Sequence, residues 1–293
     1  MKEAHGESRR EEGQLYVVAT PIGNLEDISL RALKTLAAAD VVAAEDTRVS
    51  AQLLARHGID KRLVALHQHN EAKMTPRVLE WLCAGKSVAL VTDAGTPAVS
   101  DPGARLVARA HQQGIRVIPI PGPSAPVAAL SAAGLESPHF LFYGFLPSGA
   151  AARRKVLAEL APQPWTLVFF EAPHRIVDCV NDLARCLPGE RTMVVARELT
   201  KMFETVHRCP LADAPGWLEA DPDRRRGEFV LVVSAAGGRE EPGHADLARV
   251  LEPLLSELPL AQAVKLACAI TGIRRKNVYS RALELSGRRA GGD

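Results

Sequence analysis

Asp93-Ala-Gly-Thr-Pro-Ala-Val-Ser-Asp-Pro-Gly103 follows directly on the apolar run Ser87–Val91, and this junction indicates the architecture more strongly than any other part of the chain. The run has the length and composition of a buried strand. The loop after it combines carboxylates with small residues that leave backbone groups accessible. Open α/β sheets bind ligands at the carboxyl ends of their strands, so the junction predicts a ligand site.

Two further loops of the same kind follow apolar runs elsewhere in the first half of the chain. Pro121-Gly-Pro-Ser-Ala-Pro126 comes after Ile115–Ile120, and Thr20-Pro-Ile-Gly-Asn24 comes after residues 15–19. One such loop is an ordinary turn signal. Three of them, each after a successive strand, predict a single shaped cleft.

Strand and helix signals alternate through this region. Val41–Ala44 and Leu63–Leu66 are predicted strands, and a helix is predicted from Pro76, in its first turn, to the stop at Gly85. Asp101 and Pro102 are predicted to open a helix that runs to Gln113. The alternation predicts a largely parallel sheet covered by helices.

The pattern restarts near Ser137 and ends in periodic helices, which gives the predicted organisation of an α/β protein with two α/β domains and a small all-helical C-terminal appendage. The predicted parts are a disordered tail over 1–13, an N-terminal α/β domain over 14–136, a C-terminal α/β domain over 137–236, a linker over 237–245 and a helix-turn-helix-like appendage over 246–287.

Composition excludes some classes of protein without choosing among the others. The 293 residues have a formal charge of +2, which indicates no global field for nucleic acid. Five cysteines without a Cys-x-x-Cys pair favour reduced thiols and the cytoplasm. No apolar leader and no long apolar run is present, so we expect no membrane partner. Dinucleotide and P-loop glycine fingerprints are missing.

Eight short motifs, in unbroken order between residues 13 and 236, resemble the ribosomal RNA ribose methyltransferases of the tetrapyrrole methylase superfamily. The motifs are Thr20-Pro-Ile-Gly-Asn-Leu, Ala44-Glu-Asp-Thr-Arg, His67-x-His-Asn-Glu, Asp93-Ala-Gly-Thr-Pro, Pro121-Gly-Pro, Glu171-Ala-Pro-His-Arg, Ala196-Arg-Glu-Leu-Thr-Lys and Gly227-Glu-Phe-Val-Leu. The C-terminal helices are similar to the helix-turn-helix-type extension of that family. The fold implied is a two-domain tetrapyrrole-methylase-like fold.

This resemblance implies a homodimer with S-adenosylmethionine in the cleft between the two domains. The implied reaction is methylation of the ribose 2′-hydroxyl of a cytidine in the decoding region of 16S rRNA, within the small ribosomal subunit. The resemblance also implies the cofactor contacts, which are Pro21, Asp93, Thr96, Ala98, Ser124, Ala125, Phe170, Arg197, Glu198 and Leu199.

Transfer from an activated methyl donor requires mainly alignment and exclusion of water, but a ribose hydroxyl is a poor nucleophile until it loses its proton. The candidate bases are Glu45, Asp46, His69, Glu171 and Glu198, and the candidate cations are Arg48, Arg175 and Lys201. Sequence leaves the choice open. Caps and structural ion pairs are the alternative interpretation of these residues. His67 and His69 lack further ligands, so no metal is expected.

Four basic clusters are candidate phosphate contacts. They are Arg153–Lys155; Arg224, Arg225 and Arg226; Arg274, Arg275 and Lys276; and Arg288–Arg289. The third follows a turn between two predicted helices, where a helix-turn-helix module presents a basic helix start. Two other functions stay open, namely methylation of a corrinoid or other tetrapyrrole, and a ribosome-assembly factor that binds RNA without catalysis.

Overall fold

The computed structural model describes residues 13–236, 244–271, 273 and 275–289. The described residues up to Ala235 form one compact unit, and those from Ala236 onward form a second. Three predicted features lie outside the described residues: the tail apart from Gly13, the linker apart from residues 244 and 245, and the candidate Arg274.

The first sheet has five strands, all parallel, in the order β3-β2-β4-β1-β5. Every residue of β2 and β4 is buried, as expected for central strands covered on both faces. The strands are β1 (Gln14–Val18), β2 (Val41–Ala44), β3 (Leu63–Ala65), β4 (Val88–Val91) and β5 (Arg116–Ile120). The helices that alternate with them are α1 (Leu30–Ala38), α2 (Thr47–Arg56), α3 (Glu71–Cys83), α4 (Ala104–Gln112) and α5 (Ala125–Ala132).

Two predicted helix starts are wrong. Helix α3 begins at Glu71, so Pro76 lies inside it rather than in its first turn. Helix α4 begins at Ala104, after Gly103, and not at Asp101. The start of α4 is explained by one carboxylate: Glu71, at the start of α3, accepts the free N–H groups at the start of α4.

The second sheet has the order β6-β7-β10-β8-β9, with only the β6–β7 pair parallel. Its central strand β10 is buried along its whole length. The strands are β6 (Phe140–Phe145), β7 (Thr166–Glu171), β8 (Thr192–Arg197), β9 (Thr205–Pro210) and β10 (Phe229–Val233), and the helices are α6 (Ala150–Leu160), α7 (Ile176–Cys186) and α8 (Ala214–Glu219).

The buried guanidinium of Arg153 corrects one predicted RNA-binding cluster. Arg153 is 3% exposed, and its Nε donates to Asp182 Oδ2 at 2.7 Å. Asp182 is itself buried on α7, so the pair joins α6 to α7 beneath the sheet. A side chain held in this way cannot reach a phosphate. Arg153 is therefore a core residue, whereas Arg154 is 47% exposed.

The second unit consists of α9 (His244–Glu257), α10 (Leu260–Thr271) and α11 (Arg275–Arg289). The three helices share a small apolar core that includes Leu251, Val264 and Val278. Each helix is amphipathic enough to contribute to this core and still expose a polar face. Among the described residues no helix is long and apolar enough to cross a membrane.

Candidate active site

A cavity of about 310 Å³ lies between the carboxyl edge of the first sheet and the second sheet. Its walls are mostly apolar, with a few polar and charged groups, which is the composition of small-molecule sites. The lining residues are Ile22, Ala94, Gly95, Thr96, Val99, Ser100, Asp101, Ser124, Ala125, Pro126, Phe145, Phe170, Glu171, Ala172, Pro173, Ala196, Leu199, Lys201, Glu228, Phe229 and Val230.

The three small-residue loops of the first sheet are joined to one another beside this cavity. Thr20 and Gly95 exchange two backbone hydrogen bonds, at 2.8 and 3.1 Å, which connects the loops after β1 and β4. The hydroxyl of Thr96 donates to the carbonyl of Pro123 at 3.3 Å, which connects the loops after β4 and β5. The predicted meeting of these strand ends is therefore found in the structure.

The second sheet reaches the same loops through residues 198–201, which follow β8. The hydroxyl oxygen of Thr200 accepts the backbone N–H of Asn24 at 3.0 Å. A Cβ on Gly23 would lie 2.5 Å from Cγ of Lys201 and 3.0 Å from the carbonyl oxygen of Leu199. Gly23 is therefore required for this close approach, and the motif that contains it joins the two sheets.

A bulge in strand β6 turns one aromatic ring into the cavity. The register between β6 and β7 shifts between Phe142 and Gly144, so Tyr143 is the extra residue. Beyond the bulge Phe145 pairs with Phe170, and their rings are 5.5 Å apart. Without the extra residue Phe145 would point to the opposite face of the sheet.

Unfavourable backbone conformations are concentrated in the two loops that line the cavity. Among the described residues, the non-glycine positions with positive φ are Ala98, Ser100, Glu198 and Thr200, at 67°, 66°, 50° and 65°. Each such residue stores free energy that the surrounding contacts must offset. Strain of this kind is typical of sites in which the geometry of a loop serves a ligand.

The predicted cofactor residues fall into two groups. Thr96, Ser124, Ala125, Phe170 and Leu199 line the cavity, whereas Pro21, Asp93, Ala98, Arg197 and Glu198 do not. Arg197 donates instead to the carbonyls of Arg226 and Phe203, at 2.6 and 3.1 Å, and so holds the β8–β9 hairpin. The cofactor-binding role of both groups stays a prediction.

Asp93 and Asp46 support each other at the mouth of the first sheet. The Oδ1 atom of Asp93 accepts the backbone N–H of Asp46 at 2.9 Å, and burial raises the pKa of Asp93. Hydrogen bonds from Arg48 hold the pKa of Asp46 at about 2. The guanidinium of Arg48, 87% exposed, forms its ion pair with Asp46. Asp46 also caps α2, so its contacts match those of a structural residue.

Glu171 lines the cavity but is already paired. Its buried carboxylate is 3.1 Å from Nε of Arg175, and the guanidinium of Arg175 also donates to the carbonyl of Leu146. The guanidinium orients the carboxylate in this arrangement. The pair fixes the end of β7 to the start of α7.

Lys201 is the cation of the cavity wall and contacts two carboxylates. Its Nζ is 2.9 Å from Glu198 and 2.8 Å from Glu228. Burial lowers the pKa of Lys201, but the bonds to Glu228 and Glu198 more than offset this and raise it. Burial alone would raise the pKa of Glu198. The hydrogen bonds from Lys201 and from the N–H of Glu228 together outweigh burial, so the pKa of Glu198 is lowered. Lys201 is therefore fully charged at neutral pH.

The His67-x-His-Asn-Glu71 motif is a structural support in this chain. Asn70 accepts the N–H of His67 at 2.8 Å and donates to the carbonyl of Ala65 at 3.1 Å, which closes the turn after β3. The exposed His69 contacts His67 ring to ring at 6.0 Å. Among the described residues no cluster of three or more His, Cys, Asp or Glu side chains is arranged to hold a metal.

Asp101 lines the cavity, although the sequence does not mark it as a site residue, because an aspartate before Pro102 is typical of a helix opener. Burial raises its pKa to about 6, and the neighbouring charges of Glu45 and Asp93 act in the same direction. The signal in sequence was the second aspartate of the loop, after small residues and before Pro102. Glu228 and Phe145 were missed as lining residues as well.

The predicted RNA-binding arginines after α8 are partly occupied within the protein. Arg224 donates to the carbonyl of Trp217, and Arg225 donates to those of Leu218 and Glu219. These are carbonyls at the end of α8, which cationic side chains stabilise. Arg226 is 77% exposed beside Asp223. The role of the three arginines in binding RNA stays a prediction.

Arg275 and Lys276 are exposed in the first turn of α11. That turn contains no acidic residue, so its positive charges are unfavourable to the helix dipole. An anion bound there would relieve this cost, and the contact of both residues with phosphate stays a prediction.

Comparison with known proteins gives one consistent picture. Residues 14–215 match the family of tetrapyrrole (corrin/porphyrin) methylases, and residues 241–286 match the RsmI C-terminal HTH domain. The protein called Ribosomal RNA small subunit methyltransferase I is 50% identical in Pseudomonas aeruginosa, over 94% of this chain and 99% of that protein. The protein of the same name in Escherichia coli is 46% identical, over 97% of this chain and 99% of that protein.

Among solved structures, the uroporphyrin-III-C-methyltransferase of Thermus thermophilus is 26% identical, with a TM-score of 0.55 over 76% of this chain and 94% of that one. The methyltransferase CobJ has a TM-score of 0.58 at 21% identity, over 78% and 96%, and this likeness concerns the fold alone.

Proposed function

Since the chain belongs to the tetrapyrrole methylase family and, within it, to the small-subunit ribosomal RNA methyltransferases I, we propose that it methylates ribosomal RNA of the small subunit. The methyl donor is S-adenosylmethionine. The acceptor is the ribose 2′-hydroxyl of a cytidine in the decoding region of 16S rRNA. The enzyme acts in the cytoplasm as a homodimer.

The observation that carries the proposal is the extent of the similarity. Relatives with 46% and 50% identity match almost from end to end, and their name assigns them to the small ribosomal subunit. The match includes the C-terminal helices, which the tetrapyrrole methylase match over residues 14–215 does not reach. A basic helix start on those helices supports a nucleic-acid substrate over a corrinoid.

The cavity fits the proposed donor in size and in chemistry. Its volume of about 310 Å³ is at the lower end of the range for small-molecule sites. The apolar side chains of Ile22, Phe170 and Val230 suit the flat face of an adenine. The carboxylates of Asp101 and Glu228 favour a cationic ligand, and Ser124 and Thr96 provide hydroxyls for its polar groups.

The donor supplies a methyl group that its sulfonium already activates for transfer to a nucleophile. The protein must therefore bind donor and acceptor side by side, align them and exclude water. Thr96, Ser124, Ala125, Phe170 and Leu199 hold the donor in this proposal. Lys201, fixed between two carboxylates, orders the opposite wall and is one of the candidate cations near the developing alkoxide.

The test is transfer of labelled methyl from S-adenosylmethionine to purified small ribosomal subunits that lack ribose methylation in the decoding region. We expect label in the 16S rRNA of those subunits. Parallel reactions contain naked 16S rRNA or a tetrapyrrole acceptor. Label on the tetrapyrrole and none on either RNA would overturn the proposal in favour of small-molecule methylation. RNA binding without binding of the donor would indicate an assembly factor.

A further inference from the structure

Two arginines converge on one tryptophan at the β3 edge of the first sheet. Arg62 directly precedes the edge strand β3, and Arg77 lies on α3, one helical turn before Trp81. The Cζ atom of Arg62 is 5.2 Å from the centre of the indole ring, and that of Arg77 is 5.4 Å from it. Both distances are within the range of cation–π contacts. The three residues form the Trp81 cluster, and none of them lines the cavity.

Both guanidiniums of the Trp81 cluster are exposed and have N–H groups to spare. Within the described part of the chain, neither Arg62 nor Arg77 forms an ion pair or a side-chain hydrogen bond. This holds although the exposed carboxylates of Asp60 and Glu80 are close in sequence. A guanidinium that stacks on a ring uses its flat face, and its N–H groups lie in the plane of that face. They therefore stay available for an anion.

The contact between Arg224 and Trp217 shows what a satisfied arginine of this kind looks like. The Cζ atom of Arg224 is 4.8 Å from the ring centre of Trp217. Its Nη1 also donates to the carbonyl of Trp217 at 2.9 Å, and its Nε is 3.8 Å from Asp221. The arginines beside Trp81 lack such bonds among the residues that the structure describes. The indole holds them in place, and their charge is left without a partner.

Further positive charge lies at the same end of the first sheet, before β3 and β4. Hydrogen bonds from Ser87 hold the pKa of Asp40 below its usual value, and the charges of Lys86 and Lys61 act in the same direction. Asp40 accepts the backbone N–H and the hydroxyl of Ser87, at 2.7 and 2.8 Å. This carboxylate is therefore already engaged, and the lysines add to the positive field of the neighbouring arginines.

We propose that the Trp81 cluster binds the phosphate backbone of ribosomal RNA at a place outside the cavity. This inference rests on the proposed function, which makes RNA the substrate. Two positive groups on one ring repel each other, and an anion beside them relieves that repulsion. A phosphate accepts two parallel hydrogen bonds from one guanidinium. Contacts of this kind fix the position and orientation of a protein on nucleic acid without reading its sequence.

The chemistry of the surface favours RNA over a protein partner. The cores of protein interfaces are depleted of charge and rich in exposed apolar and aromatic area. Here the indole of Trp81 is half-buried, and two guanidiniums lie against it. The cluster thus offers charge and N–H donors rather than apolar area, as phosphate contacts do.

The experiment compares the double variant Arg62→Ala/Arg77→Ala with the wild-type chain and with the control Arg31→Ala/Arg116→Ala. The control removes two charges from exposed positions on α1 and β5 of the same domain. Arg62→Lys/Arg77→Lys keeps both charges and loses the planar fork. The measurements are binding to purified small ribosomal subunits at several salt concentrations, KM and kcat of methyl transfer, binding of S-adenosylmethionine by calorimetry, and thermal melting.

We expect Arg62→Ala/Arg77→Ala to reduce the slope of log K against log salt by about 2 and to raise KM for subunits about tenfold or more. Its kcat and its binding of S-adenosylmethionine should change less than about threefold, because the cluster lies outside the cavity. The lysine variant should keep the slope and bind less tightly than wild type. A wild-type slope in the alanine variant, or an equal loss in the control, would overturn the inference. A lower melting temperature with wild-type binding would do the same, since it would make the arginines only a cover for the ring.

A cross-linking measurement identifies the partner. The photo-cross-linker p-benzoylphenylalanine replaces Lys73, which is exposed one turn before Arg77 on α3, so both arginines are kept. We expect irradiation of the complex with subunits to join the chain to 16S rRNA. A cross-link to ribosomal protein alone would overturn the proposed contact with RNA. Binding with the expected slopes but no methyl transfer by the wild-type chain would overturn the proposed function and leave the contact standing. A wild-type chain that does not bind subunits would overturn both.

Discussion

The carboxylate of Glu71 accepts the backbone N–H of Gly103 at 3.0 Å, and so the first residue of α3 caps the start of α4. Both residues lie at the carboxyl edge of the first sheet, Glu71 at the start of the helix after β3 and Gly103 at the end of the loop after β4. This contact connects the motif at residues 67–71 to the Asp93–Gly103 loop. The motif holds the loop, and the loop lines the cavity.

Replacement of Glu71 by Ala should therefore weaken both the fold and the reaction. Loss of a cap costs about 1 kcal/mol in unfolding free energy, and freedom of the loop should lower methyl transfer about tenfold or more. Glu71→Gln keeps a carbonyl acceptor and should lie between Glu71→Ala and wild type. Urea unfolding and kcat measure the two effects. Gln68→Ala, an exposed change in the same motif, is the control, and equal effects of the two Ala variants would contradict this role for Glu71.

The buried pair between Arg153 and Asp182 gives a prediction about stability. Arg153→Ala leaves the carboxylate of Asp182 buried with one exposed partner, Arg154, at 3.4 Å. Removal of one member of a buried pair destabilises by about 3–5 kcal/mol. Arg154→Ala, on the same helix, should cost about 0–1 kcal/mol. Chemical denaturation of both variants tests the assignment of Arg153 to the core. An Arg153→Ala variant with nearly the unfolding free energy of the wild type would contradict it.

Sequence predicted the parallel first sheet and the meeting of its small-residue loops because those features depend on local signals: apolar runs, glycines and prolines. It could not predict which charged side chain caps which helix. Glu71 and Gly103 are far apart in sequence, so local pattern favours Asp101 as the opener of α4. The burial of Arg153 depends on its partner Asp182 in another helix, and the direction of Phe145 depends on a bulge. All three are tertiary relationships that no local pattern encodes.

A larger side chain at Ala125 should close the donor site. Ala125 lines the cavity at the start of α5, so the ring in Ala125→Phe would occupy space that the donor requires. Binding of S-adenosylmethionine should weaken about 100-fold or more, since the lost contacts and the clash exceed about 2.7 kcal/mol. Val127→Phe places the same ring on the same helix at a residue that is 57% exposed. Calorimetric binding by that control should match wild type, and unchanged binding by Ala125→Phe would place the donor elsewhere.

Charge reversal at the start of α11 should weaken binding to the ribosomal subunit. Lys276→Glu replaces an exposed cation in the first turn of that helix. Loss of one phosphate contact should reduce the slope of log K against log salt by about 1. Lys265→Glu, at an exposed position on α10, is the matched reversal. Subunit binding at several salt concentrations distinguishes the two variants. Equal slopes would indicate that α11 does not touch RNA.

Asp101 should reduce the stability of the folded protein when it is charged. Its pKa is about 6 in the folded chain against 3.8 in the unfolded chain, so the folded state favours the protonated form. Protonated Asp101 costs the folded state nothing, so stability is highest below pH 3.8. It decreases as the pH rises through about 6 and the buried carboxyl becomes charged. Asp101→Asn should therefore melt a few degrees above wild type at pH 8 and show a smaller difference at pH 5. Calorimetric melting at the two pH values tests this, and a lower melting temperature at pH 8 would contradict it.

The central claim is that one cavity brings an S-adenosylmethionine methyl group to a ribose hydroxyl of small-subunit RNA. The most direct measurement is enzymatic digestion of the 16S rRNA after reaction, with mass spectrometry of the nucleosides and of the fragments from the decoding region. The account predicts 2′-O-methylcytidine at one position there, present with the wild-type chain and absent with Ala125→Phe. Methylation of a base, or no methylated nucleoside from subunits that the protein binds, would contradict it.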